Sequence, residues 1–441
     1  MLSSELTATL DAIPPAGLAR LAEQLPMAWI KDALSCSGSA SIRRRRLPAE
    51  QVVWLVIALA LYRHQSMPEV LETLDLALPR RDTPFVSKSA ITQARQRLGH
   101  APLAQLFEVS AKAWCGQDAA RHQWHGLSLL AMDGVVLRAA DSPENRAYFG
   151  AQVYPSGKVA SYPQVRAVTL TAIPTHLVAD MVFGEYDRNE MRYAKTLIER
   201  IPDHSLTVFD KGFFSAQLLL GLNLAGVERH YLIPAKTNAK WEVVSGTPDD
   251  CVVRMKVSPQ ARAKAPELPE FWIARAIRTL SASGRTRILL TSLMDGRRYP
   301  ATSLAECYRR RWEIETSYRE LKQSMLGCEL TLRSRTPLGV EQEIWGALIA
   351  YNLVRLEMAK AAADAKVAPT DLSFIRALHI LQHEMIWAAA MAPGKLPAHL
   401  ARLRLQMQFA IVEKRRGRLC PRVVKAKPAK YAVRHLMKDL N

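Results

Sequence analysis

The order of strand-like and helical segments between residues 126 and 235 constrains the fold of this chain more than any other feature of its sequence. Short apolar or alternating runs are typical of strands, and longer runs with an apolar residue every three or four positions are typical of helices. The predicted elements are, in chain order, strands at 127–132, 165–173 and 177–186, a helix at 189–201, a strand at 206–209, a helix at 215–225 and a strand at 230–234. This order predicts an α/β fold with a mixed sheet that helices cover.

The segments on either side of this core have other patterns. Residues 1–125 have helical periodicity, and so do four later stretches, at 303–327, 339–363, 373–392 and 397–412. Residues 236–300 hold short strand-like pieces between prolines and glycines, which predicts a β-rich insertion. The predicted segments are a helical N-terminal domain at 1–125, the first part of the core at 126–235, the insertion at 236–300, the second part of the core at 301–365, and a helical C-terminal region with a basic tail at 366–441.

The chain is strongly basic, with 60 Lys and Arg against 41 Asp and Glu among 441 residues and a formal net charge of +19. Such an excess is typical of proteins that bind nucleic acid. It is concentrated at the C-terminal end, since residues 401–441 hold twelve Lys or Arg and two Asp or Glu. That tail is a candidate for binding a polyanion, although a solubilising basic tail would have the same composition.

The apolar and cysteine patterns exclude several classes of protein. The longest apolar run, Val52–Leu61, is shorter than the roughly 18 to 20 residues that span a bilayer. The N-terminus lacks the basic and apolar regions of a secretory signal, so we expect a cytoplasmic protein with no membrane partner. The six cysteines are scattered without a Cys-x-x-Cys pair, which predicts reduced thiols and neither zinc nor disulfides.

Two basic features of the N-terminal domain are candidates for contacting DNA. The first is a run of four arginines ahead of a predicted helix, where unpaired cations are unfavourable: Arg43, Arg44, Arg45 and Arg46. The second is the segment 87–99, which has a serine cap, a closing glycine and a polar face that includes Lys88 and Arg95. This segment is typical of a recognition helix, but also of an ordinary basic surface helix.

Two acidic residues stand where predicted strands of the core end. Asp133 follows the strand 127–132 and precedes Gly134, so we expect its carboxylate to project from a strand end with little cover. Asp210 follows the strand 206–209 and begins the turn Asp-Lys-Gly-Phe. Because open α/β sheets bind ligands at the carboxyl ends of their strands, the two positions predict a ligand site.

A third acidic residue lies in the helical stretch 303–327. If that helix is regular, at about 100° per residue, four of its residues fall in a stripe only about 60° wide. They are Tyr308, Arg311, Glu315 and Lys322. A solvated amphipathic face is the alternative interpretation, but the alignment of a phenol, two cations and one acid favours a site.

Three carboxylates that converge without His or Cys suit Mg²⁺ or Mn²⁺, which prefer oxygen ligands. Two such ions would stabilise the attacking and leaving oxygens of a phosphoryl displacement. Arg311 and Lys322, on either side of Glu315, would hold the phosphodiester. The pattern predicts phosphodiester chemistry that needs no protein nucleophile.

The spacing of the four helical residues, Tyr-x2-Arg-x3-Glu-x6-Lys, resembles the signature of the DDE cut-and-paste transposases of the insertion-sequence-four family. Asp133-Gly134 resembles the first catalytic motif of that family, and Asp-Lys-Gly-Phe at 210–213 resembles the second. The three acidic residues are 77 and 105 residues apart, which leaves room for the β-strand insertion of the group. Residues 45–50, 331–337 and 351–355 also resemble family segments, so the likeness covers nearly the whole chain.

The resemblance implies an RNase H-like core and a transposase that frees a 3′-OH at each transposon end and joins it to target DNA. The N-terminal helices would bind terminal inverted repeats, and a homodimer would pair two ends. The residues that would catalyse the reaction and bind two Mg²⁺ ions, with Mn²⁺ able to substitute, are Asp133, Asp210 and Glu315. The residues that would contact transposon-end DNA are Tyr308, Arg311 and Lys322.

Two other functions stay open from sequence. A nuclease on the same fold would cleave DNA without joining it, and a domesticated DNA-binding protein would do neither reaction. The presence of all three acidic residues argues against the second. Some relatives excise through a hairpin, helped by a base flipped onto an aromatic side chain. The candidates for that role are Trp241, Trp272 and Trp312.

Overall fold

The chain divides into two compact units, each built from segments distant in sequence. The computed structural model describes residues 19–40, 47–74, 76, 86–280, 284, 286–326, 331–389 and 396–412. We call Met1–Trp114, Leu137–Val165 and Arg319–Asn441 the helical unit, and Cys115–Val136 and Arg166–Tyr318 the sheet unit. The predicted N-terminal and C-terminal helical segments thus share one unit, and the five-segment division stays a prediction. Outside the described residues lie the basic tail beyond residue 412 and Arg43, Arg44, Arg45 and Arg46.

The strands join in one sheet whose order identifies the core. They are β1 Ser128–Ala139, β2 Gln164–Ala172, β3 Val178–Glu185, β4 Ser205–Phe209, β5 Arg229–Pro234, β6 Glu242–Gly246, β7 Asp250–Lys256, β8 Phe271–Leu280, β9 Thr286–Thr291 and β10 Thr331–Leu332. The sheet order is β3-β2-β1-β4-β5-β9-β8-β7-β6, with β10 beside β1. The first five strands in this order form the RNase H-like core, so the predicted α/β class is confirmed.

The centre of the sheet is parallel and apolar. β1 pairs with β4 from Ser128 opposite Ser205 to Met132 opposite Phe209, and β4 pairs in the same direction with β5. The paired residues are buried along all of β4, as expected for a strand that is covered on both faces. Asp133 and Asp210 directly follow the last pair, so the register makes them neighbours on adjacent strands.

β1 is longer than the sequence predicts. It continues through Asp133 and Gly134 to Ala139, because buried residues at 135, 137 and 139 alternate with more exposed ones. The expectation that Asp133 stands at a strand end is therefore wrong. Its carboxylate projects from inside a strand, just past the point where the pairing with β4 stops.

The predicted β-rich insertion is confirmed, and it extends the core sheet. β9 runs antiparallel to β5, and β8, β7 and β6 follow as successive antiparallel neighbours. β6 forms the outer edge, where all five residues are exposed and the register shifts between Val243 and Ser245. A bulge of this kind makes an edge strand a poor template for further pairing.

Helices lie before, between and after these strands. Their bounds are α1 Ala19–Gln24, α2 Met27–Cys36, α3 Ala49–Leu61, α4 Met67–Thr73, α5 Lys88–Leu98, α6 Ala101–Ala119, α7 Pro143–Phe149, α8 Glu190–Ile198, α9 Ala216–Leu224, α10 Pro259–Lys264, α11 Ala301–Arg309, α12 Trp312–Arg319, α13 Pro337–Ala365, α14 Phe374–Ala389 and α15 Leu396–Gln408. A 3-10 turn occupies Lys211–Phe213, another occupies Pro369–Asp371, and a π-helical turn occupies Glu320–Met325.

The core of the helical unit forms around α3 and α13. α3 is apolar on nearly every side, and eleven of its thirteen residues are buried. At Gly346 on α13, an added Cβ would lie 2.6 Å from Cγ1 of Val56, so only glycine permits this close approach. Among the helices that the structure describes, none is long and apolar enough to cross a membrane.

Candidate active site

Asp133 carries a carboxyl group whose pKa is raised well above its ordinary value. Its Oδ1 accepts a hydrogen bond of 2.8 Å from the backbone N–H of Gly134. Burial, together with the charges of Asp210 and Glu190, raises the pKa of Asp133 from 3.8 to about 6 against the opposing effects of Gly134 and Arg311. The charged carboxylate is therefore less stable than it is in water, although it still predominates at neutral pH, and a nearby cation would stabilise it further.

Asp210 is fixed by the turn that it begins. Its carboxylate accepts a hydrogen bond of 3.4 Å from the backbone N–H of Gly212 and caps the 3-10 turn Lys211–Phe213. Buried Phe209 precedes Asp210, and buried Phe213 follows, with ring centroids 6.1 Å apart. The two rings anchor the chain on both sides of the carboxylate, which is half-buried.

The segment that carries Glu315 is not the single regular helix that the sequence predicts. α11 ends at Arg309, and α12 begins at Trp312 after a turn in which Arg311 N–H donates to the Tyr308 carbonyl. Such a bond spans three residues and winds the chain more tightly than an α-helix, whereas the following π-helical turn winds it more loosely. The regular helix from which the single stripe was calculated is therefore wrong, although Arg311 still contacts Glu315.

Arg311 lies between two of the predicted catalytic residues. Its Nη2 donates a hydrogen bond of 2.9 Å to Oε1 of Glu315, and its Nη1 lies 3.7 Å from Oδ2 of Asp133. Burial by itself would lower the pKa of Arg311. The nearby acidic groups have the larger combined effect and raise it, and these groups are Tyr308, Asp133, Asp210 and Glu315. The guanidinium joins a carboxylate of the sheet to the carboxylate of the helix.

Tyr308 is packed into the core of the sheet unit. Its ring is 6% exposed, and the guanidinium carbon of Arg287 lies 5.2 Å from the ring centroid. Burial raises the pKa of Tyr308 above its ordinary range, and the charge of Asp210 acts in the same direction. The hydroxyl therefore stays protonated, and a DNA contact by Tyr308 stays a prediction.

Glu190, which the sequence analysis did not single out, is a fourth acidic residue beside Asp133. It begins α8 after the cap Asn189, and an added Cβ at Gly134 would lie 2.6 Å from its carboxyl carbon. Glu190 also pairs with Arg166 at 3.6 Å. In the sequence, an acid after Asn189 reads as a capped helix start, so no local signal points to a site.

The donor set fits hard divalent cations by its chemistry. Asp133, Asp210 and Glu315 offer carboxylate oxygens, the ligands that Mg²⁺ and Mn²⁺ prefer. Within the described ranges, no three acidic, histidine or cysteine side chains lie together closely enough to form an ion-binding group. Arg311 occupies the space between Asp133 and Glu315, so closer approach of these two carboxylates requires the guanidinium to move.

The remaining predicted DNA-binding residues lie in the helical unit. Ser87 caps α5 by accepting a 3.2 Å bond from the Ala90 N–H, and Lys88 is exposed on its first turn. Arg95 instead faces inward and donates from Nε to Oε1 of Gln342 at 2.8 Å. Lys322 is half-buried in the π-helical turn. The roles of Lys88, Arg95 and Lys322 in DNA binding stay predictions.

The three candidate tryptophans differ in exposure. Trp272 is 5% exposed and packs near Tyr231, with ring centroids 6.1 Å apart. Trp241 is half-buried, whereas Trp312 is 60% exposed at the start of α12. Trp312 is therefore the most accessible of the three to a base.

Comparison with known proteins adds independent matches. The family model described as the insertion element 4 transposase N-terminal region matches residues 15–108, and the transposase DDE domain matches residues 124–353. The chain is 40% identical over 416 residues to the Escherichia coli (strain K12) transposase InsG for insertion sequence element IS4, covering 94% of this chain and 93% of InsG. It is 36% identical over 233 residues to the putative transposase InsZ of the same strain, covering 53% of this chain and 76% of InsZ.

A solved structure, the cryo-EM piggyBac transposase synaptic complex with hairpin DNA, is also similar. The likeness covers 96% of this chain and 87% of that chain, with 11% identity and a TM-score of 0.39. The family models and the identity to InsG decide the family, because the DDE-domain match covers more than half of the chain and includes Asp133, Asp210 and Glu315. The chain belongs to the IS4 family of DDE transposases.

Proposed function

We propose that this transposase binds the terminal inverted repeats of an insertion sequence, cleaves the DNA at both ends, and joins the freed 3′-OH groups to target DNA in the bacterial cytoplasm. One observation carries the proposal. Asp133 and Asp210 follow the last paired residues of two parallel strands, and Arg311 joins Asp133 to Glu315. Residues from distant parts of the sequence are thus linked through the register of β1 and β4 and through one guanidinium, and this linkage supports the proposal.

As a DDE transposase, the protein uses divalent metal, and we propose that Asp133, Asp210 and Glu315 hold two Mg²⁺ ions, which Mn²⁺ can replace. When bound, such ions lower the pKa of a water and stabilise the attacking and leaving oxygens of the phosphodiester. The carboxyl group of Asp133, with a pKa of about 6, must be deprotonated to act as a ligand. Partial burial of Asp133 and Arg311 strengthens the charge interactions between them.

Arg311 has two roles in this proposal. Before DNA binds, its guanidinium balances the charges of Asp133 and Glu315. When a phosphodiester enters, the guanidinium releases Glu315 and binds a phosphate oxygen, for which its planar donors are well suited. The carboxylates then become available as ligands at the moment when substrate is present.

We propose that DNA is held by the exposed face of α5, by other basic residues and by Tyr308. The proposed contacts are Lys88, Arg95, Arg43, Arg44, Arg45, Arg46, Tyr308, Arg311 and Lys322. Lys88 is exposed, and the polar side chains of Thr92 and Gln96 are exposed on the same helix. Because one active site processes one transposon end at a time, joining both ends to one target favours a homodimer.

The test is a cleavage and strand-transfer assay with Mg²⁺ on linear DNA that carries the flanking inverted repeat. We expect the wild type to cut and join, and Glu315→Gln to bind the DNA but do neither, because the change removes a metal ligand and leaves the cations in place. Glu306→Gln, an exposed change on α11, is the matched control and should retain both reactions. Cutting without joining would identify a nuclease, and binding without either reaction would identify a domesticated DNA-binding protein.

A further inference from the structure

Tyr318 connects three elements of the sheet unit through one hydroxyl group. It lies three residues after Glu315 on α12, and its hydroxyl donates a hydrogen bond of 2.8 Å to the backbone carbonyl of Asp133 on β1. Oγ1 of Thr169, on β2, lies 2.6 Å from the same hydroxyl. A phenol on the helix of one predicted metal ligand thus binds the main chain of another.

The direction of both hydrogen bonds follows from the atoms present. A phenol has one proton, and the carbonyl of Asp133 can only accept, so Tyr318 donates to Asp133 and accepts from Thr169. Burial and the charges of Asp133 and Glu190 keep the pKa of Tyr318 well above its ordinary value. The hydroxyl is therefore a donor at any pH at which DNA is cleaved.

The rest of the side chain is held by packing. The ring of Tyr318 packs against the apolar core of the sheet unit, which includes Leu129, Val208 and Ile314. Ile314 lies on α12 itself, one residue before Glu315. Packing of the ring holds the hydroxyl in place. The hydrogen bond from that hydroxyl then holds the backbone of Asp133 at a set distance from α12.

We propose that Tyr318 is a positioning residue that sets the separation between the carboxylates of Asp133 and Glu315. Functional groups must be held within about 0.5 Å of the productive geometry, and backbone pairing between β1 and β4 stops one residue before Asp133. The phenol supplies a fixed contact at the point where that pairing ends. The inference rests on the proposed function only in taking Asp133 and Glu315 as ligands of a shared metal site.

Tyr318→Phe tests the proposal, because it removes the hydroxyl and keeps the ring. The matched control is Tyr193→Phe, since Tyr193 is a buried tyrosine of the same unit and its hydroxyl also donates to a backbone carbonyl, that of Glu185, at 2.9 Å. Mn²⁺ is titrated against each full-length protein bound to inverted-repeat DNA, with free Mn²⁺ followed by electron paramagnetic resonance. Thermal unfolding and DNA affinity are measured in parallel.

We expect Tyr318→Phe to weaken Mn²⁺ binding and cleavage by roughly 10- to 100-fold, the usual effect of losing a residue that orients metal ligands. Tyr193→Phe should unfold at a temperature close to that of Tyr318→Phe but bind Mn²⁺ as the wild type does. Thr169→Val, which leaves the bond to Asp133 in place, should have a smaller effect than Tyr318→Phe.

Equal Mn²⁺ affinity in Tyr318→Phe and wild type would overturn the proposal, and so would equal losses in the two Tyr→Phe variants. Both results would make Tyr318 a packing residue. Failure of the proposed function looks different, because the wild type would then not both cut and join DNA, or Glu315→Gln would do both. If Glu315→Gln is inactive while Tyr318→Phe is normal, only the role of Tyr318 is wrong.

Discussion

The carboxylates of the strands and the carboxylate of the helix are held in different ways. Asp133 and Asp210 are placed by the register of β1 and β4, which is fixed by backbone hydrogen bonds and a buried apolar face. Glu315 is placed by a short helix between a tight turn and a π-helical turn, and by the side chains of Arg311 and Tyr318. We call Asp133 and Asp210 the strand half of the site, and Glu315 with Arg311 the helix half. Backbone pairing fixes the strand half, whereas side-chain contacts fix the position of the helix half.

Removing one carboxylate from each half should have the largest effect. We expect Asp210→Asn and Glu315→Gln each to reduce cleavage by more than about 100-fold, since even the loss of an outer contact to a metal ligand can cost that much. Affinity for inverted-repeat DNA should change little in both. Substantial cleavage by either variant would show that the two halves do not serve one reaction.

The pH dependence of stability should report on the strand half. The pKa of Asp133 is about 6 in the folded protein against 3.8 ordinarily, so the folded state binds a proton more tightly. The stabilisation is full below about pH 4 and is lost as the pH rises through about 6, a change on the order of 3 kcal/mol. Denaturant unfolding in EDTA across this range should show the fall in the wild type but not in Asp133→Asn. The same fall in both would assign it to another group.

Arg311→Ala tests whether the guanidinium of the helix half contacts DNA. Losing one phosphate contact should weaken DNA binding about tenfold and reduce the slope of log affinity against log salt by about one. Arg310→Ala is the matched control, because Arg310 is the exposed neighbour in the same turn. Equal effects from the two substitutions would mean that only the net charge of this turn matters.

Gly134→Ala should have the smallest effect. The new Cβ would meet the carboxyl group of Glu190 at 2.6 Å, but this group ends a flexible, 40% exposed side chain that can move aside. We expect a loss of stability of under about 1 kcal/mol, measured by denaturant unfolding, and a smaller loss when Glu190→Ala is combined with it. A larger loss that Glu190→Ala does not relieve would place the strain in β1 itself.

Sequence periodicity predicted the strands of the core well because each is a short apolar run between clear breaks. The order of β1 to β5 and the position of Asp210 after Phe209 follow from those runs. The predicted strand ended too early at residue 132, because Asp133-Gly134 is typical of a turn. In the structure β1 continues, and the alternation of buried and more exposed residues resumes at Val135. One polar pair inside a buried strand is a tertiary arrangement that local pattern does not encode.

For the helix half, the sequence predicted which residues take part but not the shape of the helix that carries them. The spacing of the four signature residues identified the family, yet their common face was calculated for one regular helix, and the structure has two α-helices and a π-helical turn instead. Neither the tight turn at Arg311 nor the π-helical turn contains a proline or glycine that would mark it in the sequence. Tyr318 was missed because its partner is a backbone atom of a residue 185 positions away in the chain.

The most direct test of a single metal site shared by the two halves is local cleavage of the protein chain by bound iron. Fe²⁺ replaces Mg²⁺ in the complex with inverted-repeat DNA, ascorbate and peroxide generate hydroxyl radicals at the ion, and the fragments are mapped. We expect cuts close to Asp133, Asp210 and Glu315 that excess Mg²⁺ suppresses. Cuts near Asp133 and Asp210 with none near Glu315 would contradict the account, because the helix would then lie outside the metal site.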